Sequence, residues 1–347
     1  MTWTASDADK TRRLGLIDSH NDFPTAIAYR RAHGVTDSLR NYWLPRFRDG
    51  GIRLVLAPIW ISSQFVPEGA LRRAIQVIDG LLREIDECAT DVALVRTFAE
   101  IERAHAEGKV AVMLAFEGAE PLGYDLSALR LFYGVGLRVM SLTWSRRNAF
   151  GDGAWEQAAR GGLTRLGREA VVEMDRLGIV VDVSHASDQT AWDILDVARG
   201  PVIASHSNAR ALREHPRNLT DDLLRAIAAT GGVIGVTAVP SFISERPATV
   251  GAWVDHLEHV IEVAGIEHVG VGADFIHHVD EIGATLEMAS WGPHFGRDLP
   301  PFEGMLGPED LPALTAELDR RGFSEPDVRR IYHENYLRVF AQVLGAR

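Results

Sequence analysis

Eight short apolar runs, most of them followed by a stretch with helical spacing, constrain the fold of this chain more than any other feature. The runs are rich in Val, Ile and Leu and show little alternation, which is typical of strands buried on both faces. Repeated alternation of strand and helix predicts a parallel sheet covered by helices. The predicted strands lie near residues 14–19, 52–60, 109–116, 136–143, 179–184, 201–205, 232–238 and 268–273.

The stretches between these runs carry signals for helices. Residues 163–178 have an N-cap residue in Thr164 and a terminating glycine in Gly178, a pattern that predicts a helix between them. Apolar residues at helical spacing or similar end signals predict further helices. These lie at residues 68–87, 187–200, 219–232, 248–265 and 324–345.

Eight strands that alternate with helices predict a (β/α)8 TIM barrel of the metal-dependent hydrolase type. An open doubly wound sheet is the alternative, but no GxGxxG turn follows the first strand, as such sheets often have. We expect residues 1–347 to form one catalytic domain. The long segment at about 275–307 has little periodicity and is predicted to be a loop that covers the substrate.

Charge and composition argue against some classes of binding partner. The net charge is −12 and the chain has no run rich in Lys and Arg, so binding to nucleic acid or to a membrane surface is not expected. Cys88 is the only cysteine, which excludes an intrachain disulfide. The polar N-terminal residues and the lack of an apolar segment of about 18 residues favour a cytoplasmic location.

Potential metal ligands follow four of the predicted strands. His20 and Asp22 follow the first, Glu117 the third, His185 the fifth and His206 the sixth. Barrel enzymes carry their active site at the carboxyl ends of the strands, so these side chains are expected to meet there. Each residue alone has an ordinary structural explanation. Together they predict a two-metal hydrolase, with a carboxylate that bridges the ions and imidazoles that suit zinc.

Two further residues suggest how such a site would act on a substrate. Asp274 follows the eighth strand, where an aspartate can take a proton from an activated water and return it to a leaving amine. Arg217 follows the sixth strand and could hold a substrate carboxylate with paired hydrogen bonds. Ser184 and Ser205 directly precede the two histidines and are expected to face away from the metals.

Several segments, taken together, resemble one family: the membrane (renal) dipeptidases, peptidase family M19, within the amidohydrolase superfamily. The resemblance runs from about Leu14 to Phe340 and is carried by DSHND, AFEG, LTRLGREAVVEMDRLGIVVDVSHAS, PVIASHSNAR, RNLTDD and EHVGVGADF. It implies a (β/α)8 barrel with two zinc ions, and a soluble bacterial-type protein that could form a homodimer.

The resemblance also implies a role for each site residue. His20 and Asp22 would hold one zinc ion, His185 and His206 the other, and Glu117 both. Arg217 would bind the carboxylate at the C-terminal end of the substrate, and Asp274 would shuttle the proton. The family cleaves dipeptides and tolerates a D-residue on the C-terminal side, and some members open β-lactam rings.

Two positions depart from the family pattern at the predicted substrate pocket. Trp144 stands in an LTW segment where mammalian members have a histidine that contacts the substrate. Ile276 replaces the second aspartate of a DFDG segment. Both changes put the substrate preference in question, and we expect Trp144 to line the substrate site.

The sequence therefore predicts a zinc-dependent dipeptidase. The first alternative is a related two-metal amidohydrolase that acts on another small amide, lactam or lactone. The second is a non-catalytic, metal-binding barrel, which would require the loss of a ligand or of the proton shuttle. A dipeptide panel compared with N-acyl amino acids and lactones would separate the first two.

Overall fold

A computed structural model of the chain describes residues 3–275 and 302–345. Within these residues the main sheet is parallel, and its strand order follows the chain around a ring. The strands are β1 (Leu16–Asp18), β2 (Ile52–Trp60), β3 (Val92–Leu94), β4 (Val110–Glu117), β5 (Leu137–Ser141), β6 (Val180–Asp182), β7 (Val202–Ile203), β8 (Ile234–Val236), β9 (Ala248–Thr249), β10 (Val269–Val271) and β11 (Phe302–Glu303).

Eight of these strands form a barrel in the order β7–β6–β5–β4–β2–β1–β10–β8, and β3 pairs with β4 outside the ring. A bridge between Ala204, just after β7, and Ile234 of β8 closes the ring. The prediction of a (β/α)8 barrel is confirmed, and the alternative prediction of an open doubly wound sheet is wrong. β9 and β11 form a separate two-stranded parallel sheet.

Helices cover the outside of the barrel. Most begin at a residue whose side chain accepts a hydrogen bond from the first turn, as Thr164 does from the Gly167 N–H. The helices are α1 (Ala5–Leu14), α2 (Phe23–Ala32), α3 (Leu44–Asp49), α4 (Ala70–Glu87), α5 (Phe98–Ala106), α6 (Leu126–Val135), α7 (Arg165–Leu177), α8 (Asp188–Val197), α9 (Asp221–Ala229), α10 (Pro240–Ile243), α11 (Val250–Ala264), α12 (Pro312–Arg320), α13 (Glu325–Arg329) and α14 (Asn335–Leu344).

The predicted elements match the observed ones closely. Each predicted strand overlaps a strand of the ring, and the ends differ by no more than two residues. The predicted helix at 324–345 is divided into α13, a π-helical turn at Arg330–Glu334, and α14. The prediction missed β3, which is too short to show a period. Of the predicted loop at 275–307, residues 276–301 lie outside the described residues.

Helix α14 closes one end of the barrel. Tyr336, Val339 and Phe340 of this helix belong to the apolar cluster inside the ring. The Tyr336 ring passes beside Gly270, where an added Cβ would lie 2.4 Å from a ring carbon. The Tyr336 hydroxyl donates to Ser19 Oγ at 2.6 Å. The last described helix therefore supports the end of the first strand.

No helix in residues 3–275 and 302–345 combines the length and the apolar character that crossing a bilayer requires.

Candidate metal centre

The predicted ligands lie together at the carboxyl ends of the barrel strands. Their positions follow from the chain order, because every parallel strand of the ring ends at the same rim. His20 and Asp22 follow β1, Glu117 ends β4, His185 follows β6, His206 follows β7 and Asp274 follows β10.

Glu117 occupies the centre of this group. Its Oε1 lies 2.7 Å from His185 Nε2, 3.6 Å from His20 Nε2 and 3.6 Å from His206 Nε2. Possible ligand atoms lie within 4.8 Å of one another in three sets: His20, Asp22 and Glu117; Glu117, His185 and His206; and His20, His206 and Asp274. Glu117 is shared by the first two sets, as a bridging carboxylate would be.

Several buried atoms of the site lack a hydrogen-bond partner among the described residues: His20 Nε2, His206 Nε2 and Asp22 Oδ1. A buried polar atom without a partner costs about 1–3 kcal/mol. Two imidazole nitrogens and a carboxylate oxygen are suitable ligands for a divalent transition metal. The residues present therefore fit a metal centre.

Burial sets the protonation of the carboxyl groups. It raises the pKa of Glu117 and of Asp22 well above the usual range, and neighbouring carboxylates add to both shifts. The pKa of Asp274 rises to about 7, because burial outweighs the opposing attraction of Arg217. A cation placed among these groups would favour their ionised forms.

Burial has the opposite effect on the histidines. The pKa of His20 falls to about 3, and Arg217 adds to the effect of burial. The pKa values of His185 and His206 are also well below the usual range, again chiefly through burial. Neutral imidazole is the form that binds metal, so the site favours ligand-competent histidines at neutral pH.

Two of the site residues have unusual backbone conformations. His185 has φ 69° and Asp274 has φ 54°, a region that non-glycine residues rarely adopt. The Asp274 N–H donates to the His20 carbonyl oxygen at 3.1 Å, which joins the end of β10 to the end of β1. Strained residues of this kind are often found at functional sites.

In two of the histidines, the ring nitrogen Nδ1 lies within hydrogen-bonding distance of a serine hydroxyl. His185 Nδ1 lies 2.7 Å from Ser145 Oγ, and His206 Nδ1 lies 2.8 Å from Ser205 Oγ. Ser205 also donates to the buried carboxylate of Asp182. No sequence pattern indicated a role for Ser145 or Asp182, although Asp182 stands in the same DVSHAS segment as His185.

Arg217 is buried beside the carboxyl groups. Its Nη2 donates to the His206 carbonyl oxygen at 3.1 Å, while its Nε has no partner in the described part of the chain. The guanidinium carbon lies 5.4 Å from the centre of the Phe242 ring. Burial lowers the pKa of Arg217 to about 10, opposed by Asp274 and Glu117, so the group stays charged and can bind an anion.

Trp144 forms a buried aromatic wall against the centre. Its ring centre lies 5.7 Å from that of His185, 4.7 Å from that of Trp155 and 5.6 Å from that of Trp60. Arg146 approaches the Trp144 ring at 5.1 Å. Ile276, the other departure noted in the sequence, lies outside the described residues.

Comparison with known proteins agrees with this arrangement. The model of the family "Membrane dipeptidase (Peptidase family M19)" matches residues 8–346. Dipeptidase 3 of Macaca fascicularis is 32% identical over 97% of this chain, which spans 66% of that protein. Dipeptidase verJ of Clonostachys rogersoniana is 31% identical over 94% of this chain, which spans 84% of that protein.

A solved structure with the same fold is that of a metallo peptidase from Rhodobacter sphaeroides, liganded with a phosphinate mimic of the dipeptide L-Ala-D-Ala. It aligns with a TM-score of 0.82 and 28% identity, covering 95% of this chain and 99% of that one. Sequence and structure therefore lead to the same family.

Proposed function

The chain belongs to the membrane dipeptidase family, peptidase family M19, and we propose that it is a zinc-dependent dipeptidase with two zinc ions. Its substrates would be dipeptides, including those with a D-residue on the C-terminal side. The ligand of the Rhodobacter sphaeroides structure, a mimic of L-Ala-D-Ala, supports this substrate class.

The observation that carries the proposal is the shared carboxylate. Glu117 belongs to two sets of potential ligands at once, with His20 and Asp22 on one side and His185 and His206 on the other. His20 and Asp22 would hold one zinc ion, His185 and His206 the other, and Glu117 both. Two such ions would polarise the scissile carbonyl and lower the pKa of water.

Asp274 and Arg217 supply the remaining chemistry. Asp274 Oδ1 lies 3.9 Å from His20 Nε2, and at this position its carboxyl group would accept a proton and return it. The proton would pass to the departing amine, since an amine leaves poorly without one. Arg217 would bind the free carboxylate of the substrate, and Trp144 would pack against the substrate on the β5 side.

A dipeptide panel tests the proposal. Zinc-loaded protein is incubated with L-Xaa-L-Xaa and L-Xaa-D-Xaa dipeptides, and the released amino acids are measured with and without a chelator. We expect cleavage that the chelator abolishes and zinc restores. A protein that binds two zinc ions per chain and cleaves none of the dipeptides would contradict the substrate class.

The second candidate is hydrolysis of another small amide, lactam or lactone at the same centre. The packing of Trp144 against His185 favours it, because a buried indole beside a ligand narrows the space for an extended dipeptide. N-acyl amino acids and lactones in the same assay separate the two candidates. If none of these compounds reacts, the remaining candidate is a non-catalytic metal-binding barrel.

Three wider predictions accompany the proposed function. We propose that residues 1–347 form one catalytic domain, that the protein is cytoplasmic and that it forms a homodimer. Limited proteolysis, cell fractionation and light scattering test these predictions in turn.

A further inference from the structure

We propose that Asp182 and Ser205 act as a relay that fixes the tautomer of His206, with the ring hydrogen on Nδ1 and the lone pair on Nε2. Nε2 is the atom that faces Glu117 at 3.6 Å. The inference rests on the proposed metal centre, because only the lone pair of Nε2 can bind a metal there. Asp182 and Ser205 are thereby positioning residues.

The hydroxyl hydrogen of Ser205 is directed at Asp182. Asp182 ends β6 and is buried. Its Oδ1 accepts from the backbone N–H groups of Ser184 and Ser205, each at 2.9 Å. Its Oδ2 lies 2.5 Å from Ser205 Oγ. Burial raises the pKa of Asp182, but the hydrogen bonds from Ser205 and Ser184 oppose that effect and favour the ionised form. Because an ionised carboxylate only accepts hydrogen bonds, the single hydroxyl hydrogen of Ser205 goes to Asp182.

The position of the Ser205 hydrogen in turn determines the tautomer of His206. Ser205 Oγ lies 2.8 Å from His206 Nδ1. Because the hydroxyl hydrogen is already used, Ser205 Oγ can only accept from Nδ1, which must carry the ring hydrogen. In a neutral imidazole the other nitrogen is then a lone pair. Asp182 at the end of β6 and Ser205 just after β7 thus determine which nitrogen of the His206 ring can bind a cation.

The backbone holds the relay in place. The His206 N–H donates to Ser184 Oγ at 2.9 Å, while the Ser184 N–H binds Asp182. Asp182 therefore organises both chain segments, before His185 and before His206. This explains why Ser184 and Ser205, directly ahead of the two histidines, both contact polar partners in the buried layer under the site.

His185 has no such relay. Its Nδ1 lies 2.7 Å from Ser145 Oγ, but no carboxylate accepts from Ser145 within the described residues. The Ser145 hydroxyl is therefore free to donate or to accept, and the tautomer of His185 is set less strongly. Ser145→Ala is accordingly expected to reduce zinc affinity less than changes at the relay do.

Asp182→Asn tests the relay with almost no change in shape. The two backbone N–H groups require the amide oxygen at the Oδ1 position, so the amide NH2 would point at Ser205. Ser205 would then donate to His206 Nδ1, and the ring hydrogen would move to Nε2. We expect zinc affinity to fall about 10- to 100-fold, measured by competition with a chromophoric chelator.

Asp152→Asn is the matched control. Asp152 is also a buried aspartate, but its carboxylate accepts from Arg147 and from the Gly161 N–H and not from a serine that contacts a candidate ligand histidine. Asp152→Asn removes a buried carboxylate just as Asp182→Asn does, but the zinc affinity of this variant should remain at the wild-type level. An equal loss of affinity in both variants would overturn the relay.

The tautomer itself is measured by the ring 15N shifts of His206 in metal-free protein, assigned with the His206→Gln variant. We expect a hydrogen on Nδ1 in the wild type; a hydrogen on Nε2 would overturn the proposal, whether or not Asp182→Asn folds. Ser205→Ala should give mixed tautomers and weaker zinc binding. A wild type that binds no zinc would contradict the proposed function, while the 15N shifts would still decide the relay.

Discussion

Asp274, the proposed proton carrier, has a backbone conformation that few side chains tolerate. Its φ is 54°, in the left-handed region that Asn and Asp adopt more readily than other residues do. The choice of substitution therefore matters, because alanine would add backbone strain to the loss of the carboxyl group. Asparagine keeps the conformation and removes only the proton carrier.

We predict that Asp274→Asn lowers kcat about 100-fold or more, because a positioned general acid–base contributes about 10²–10⁴ to the rate. Zinc content should remain that of the wild type. Asp37→Asn is the matched control, since Asp37 also has a positive φ of 59° and is half-buried, outside the candidate site. Steady-state kinetics with metal analysis checks the prediction, and an Asp274→Asn enzyme with full turnover would contradict the role.

Arg217 gives a second test at the scale of single residues. We predict that Arg217→Met lowers kcat/KM for dipeptides about 100-fold, because a buried charge partner for the substrate carboxylate is lost. Dipeptide amides lack that carboxylate, so the variant should affect them far less. The ratio between the two substrates is the measurement, and an equal loss on both would indicate that Arg217 only supports the fold.

At the scale of elements, the start of α7 shows how a local signal stabilises the barrel wall. Thr164 accepts from the Gly167 N–H at 3.1 Å and donates to the Ala149 carbonyl oxygen at 2.7 Å. We predict that Thr164→Ala lowers the free energy of unfolding by about 1 kcal/mol and leaves kcat unchanged. Urea denaturation checks this, and Thr164→Ser, which keeps the hydroxyl, should behave as the wild type.

The contact between α11 and α12 gives a prediction for pH. Glu317 accepts from Arg320 and Arg321, and Arg321 also reaches Asp255 and Glu258 of α11. These arginines hold the pKa of Glu317 at about 2, against an ordinary value of 4.5. A lowered folded pKa stabilises the protein above pH 4.5, and this contribution is lost as the pH falls toward 2.

Glu317→Gln isolates that contribution. We predict that the variant is less stable than the wild type by about 1–3 kcal/mol at pH 7, and that the difference shrinks between pH 4.5 and 2. Unfolding curves of both proteins across this range provide the measurement. A difference that does not change with pH would mean that Glu317 acts through packing rather than charge.

At the scale of the whole molecule, the candidate metal centre brings several carboxyl groups together with few positive charges to balance them. Glu117, Asp22 and Asp274 lie close together, and their pKa values are raised by burial. Binding of a cation to the folded state alone stabilises it by about 4 kcal/mol at 1,000 times the dissociation constant. We predict that zinc raises the melting temperature of chelator-treated protein by several degrees. Calcium, which prefers oxygen ligands, is the control, and an equal effect of both ions would contradict a histidine-rich zinc centre.

The sequence predicted the ring of strands because strands buried on both faces form continuous apolar runs that stand out from helices. It also placed His20, Glu117, His185 and His206 at strand ends, which the geometry of a parallel barrel brings together. Their assignment as ligands, like the role of Arg217, remains a prediction. β3 was missed because its Val92–Leu94 segment is too short to show a period.

The contacts behind the ligands could not be read from the sequence. Asp182 and Ser205 are 23 residues apart, and nothing in either segment indicates that one accepts from the other. The wall formed by Trp60, Trp144 and Trp155 likewise joins the end of β2 to the segment between β5 and α7. Local patterns identify elements and strand ends, while side-chain partners across the barrel depend on register.

The helix that carries Tyr336 is the last described part of the chain to leave the ribosome. Its hydroxyl binds Ser19, a residue made 317 positions earlier, so β1 gains this support only after Tyr336 has been synthesised. A nascent chain that has every candidate ligand but lacks α14 would have a barrel that is open at the end where α14 normally packs. We therefore expect chains that stop before α14 to be inactive.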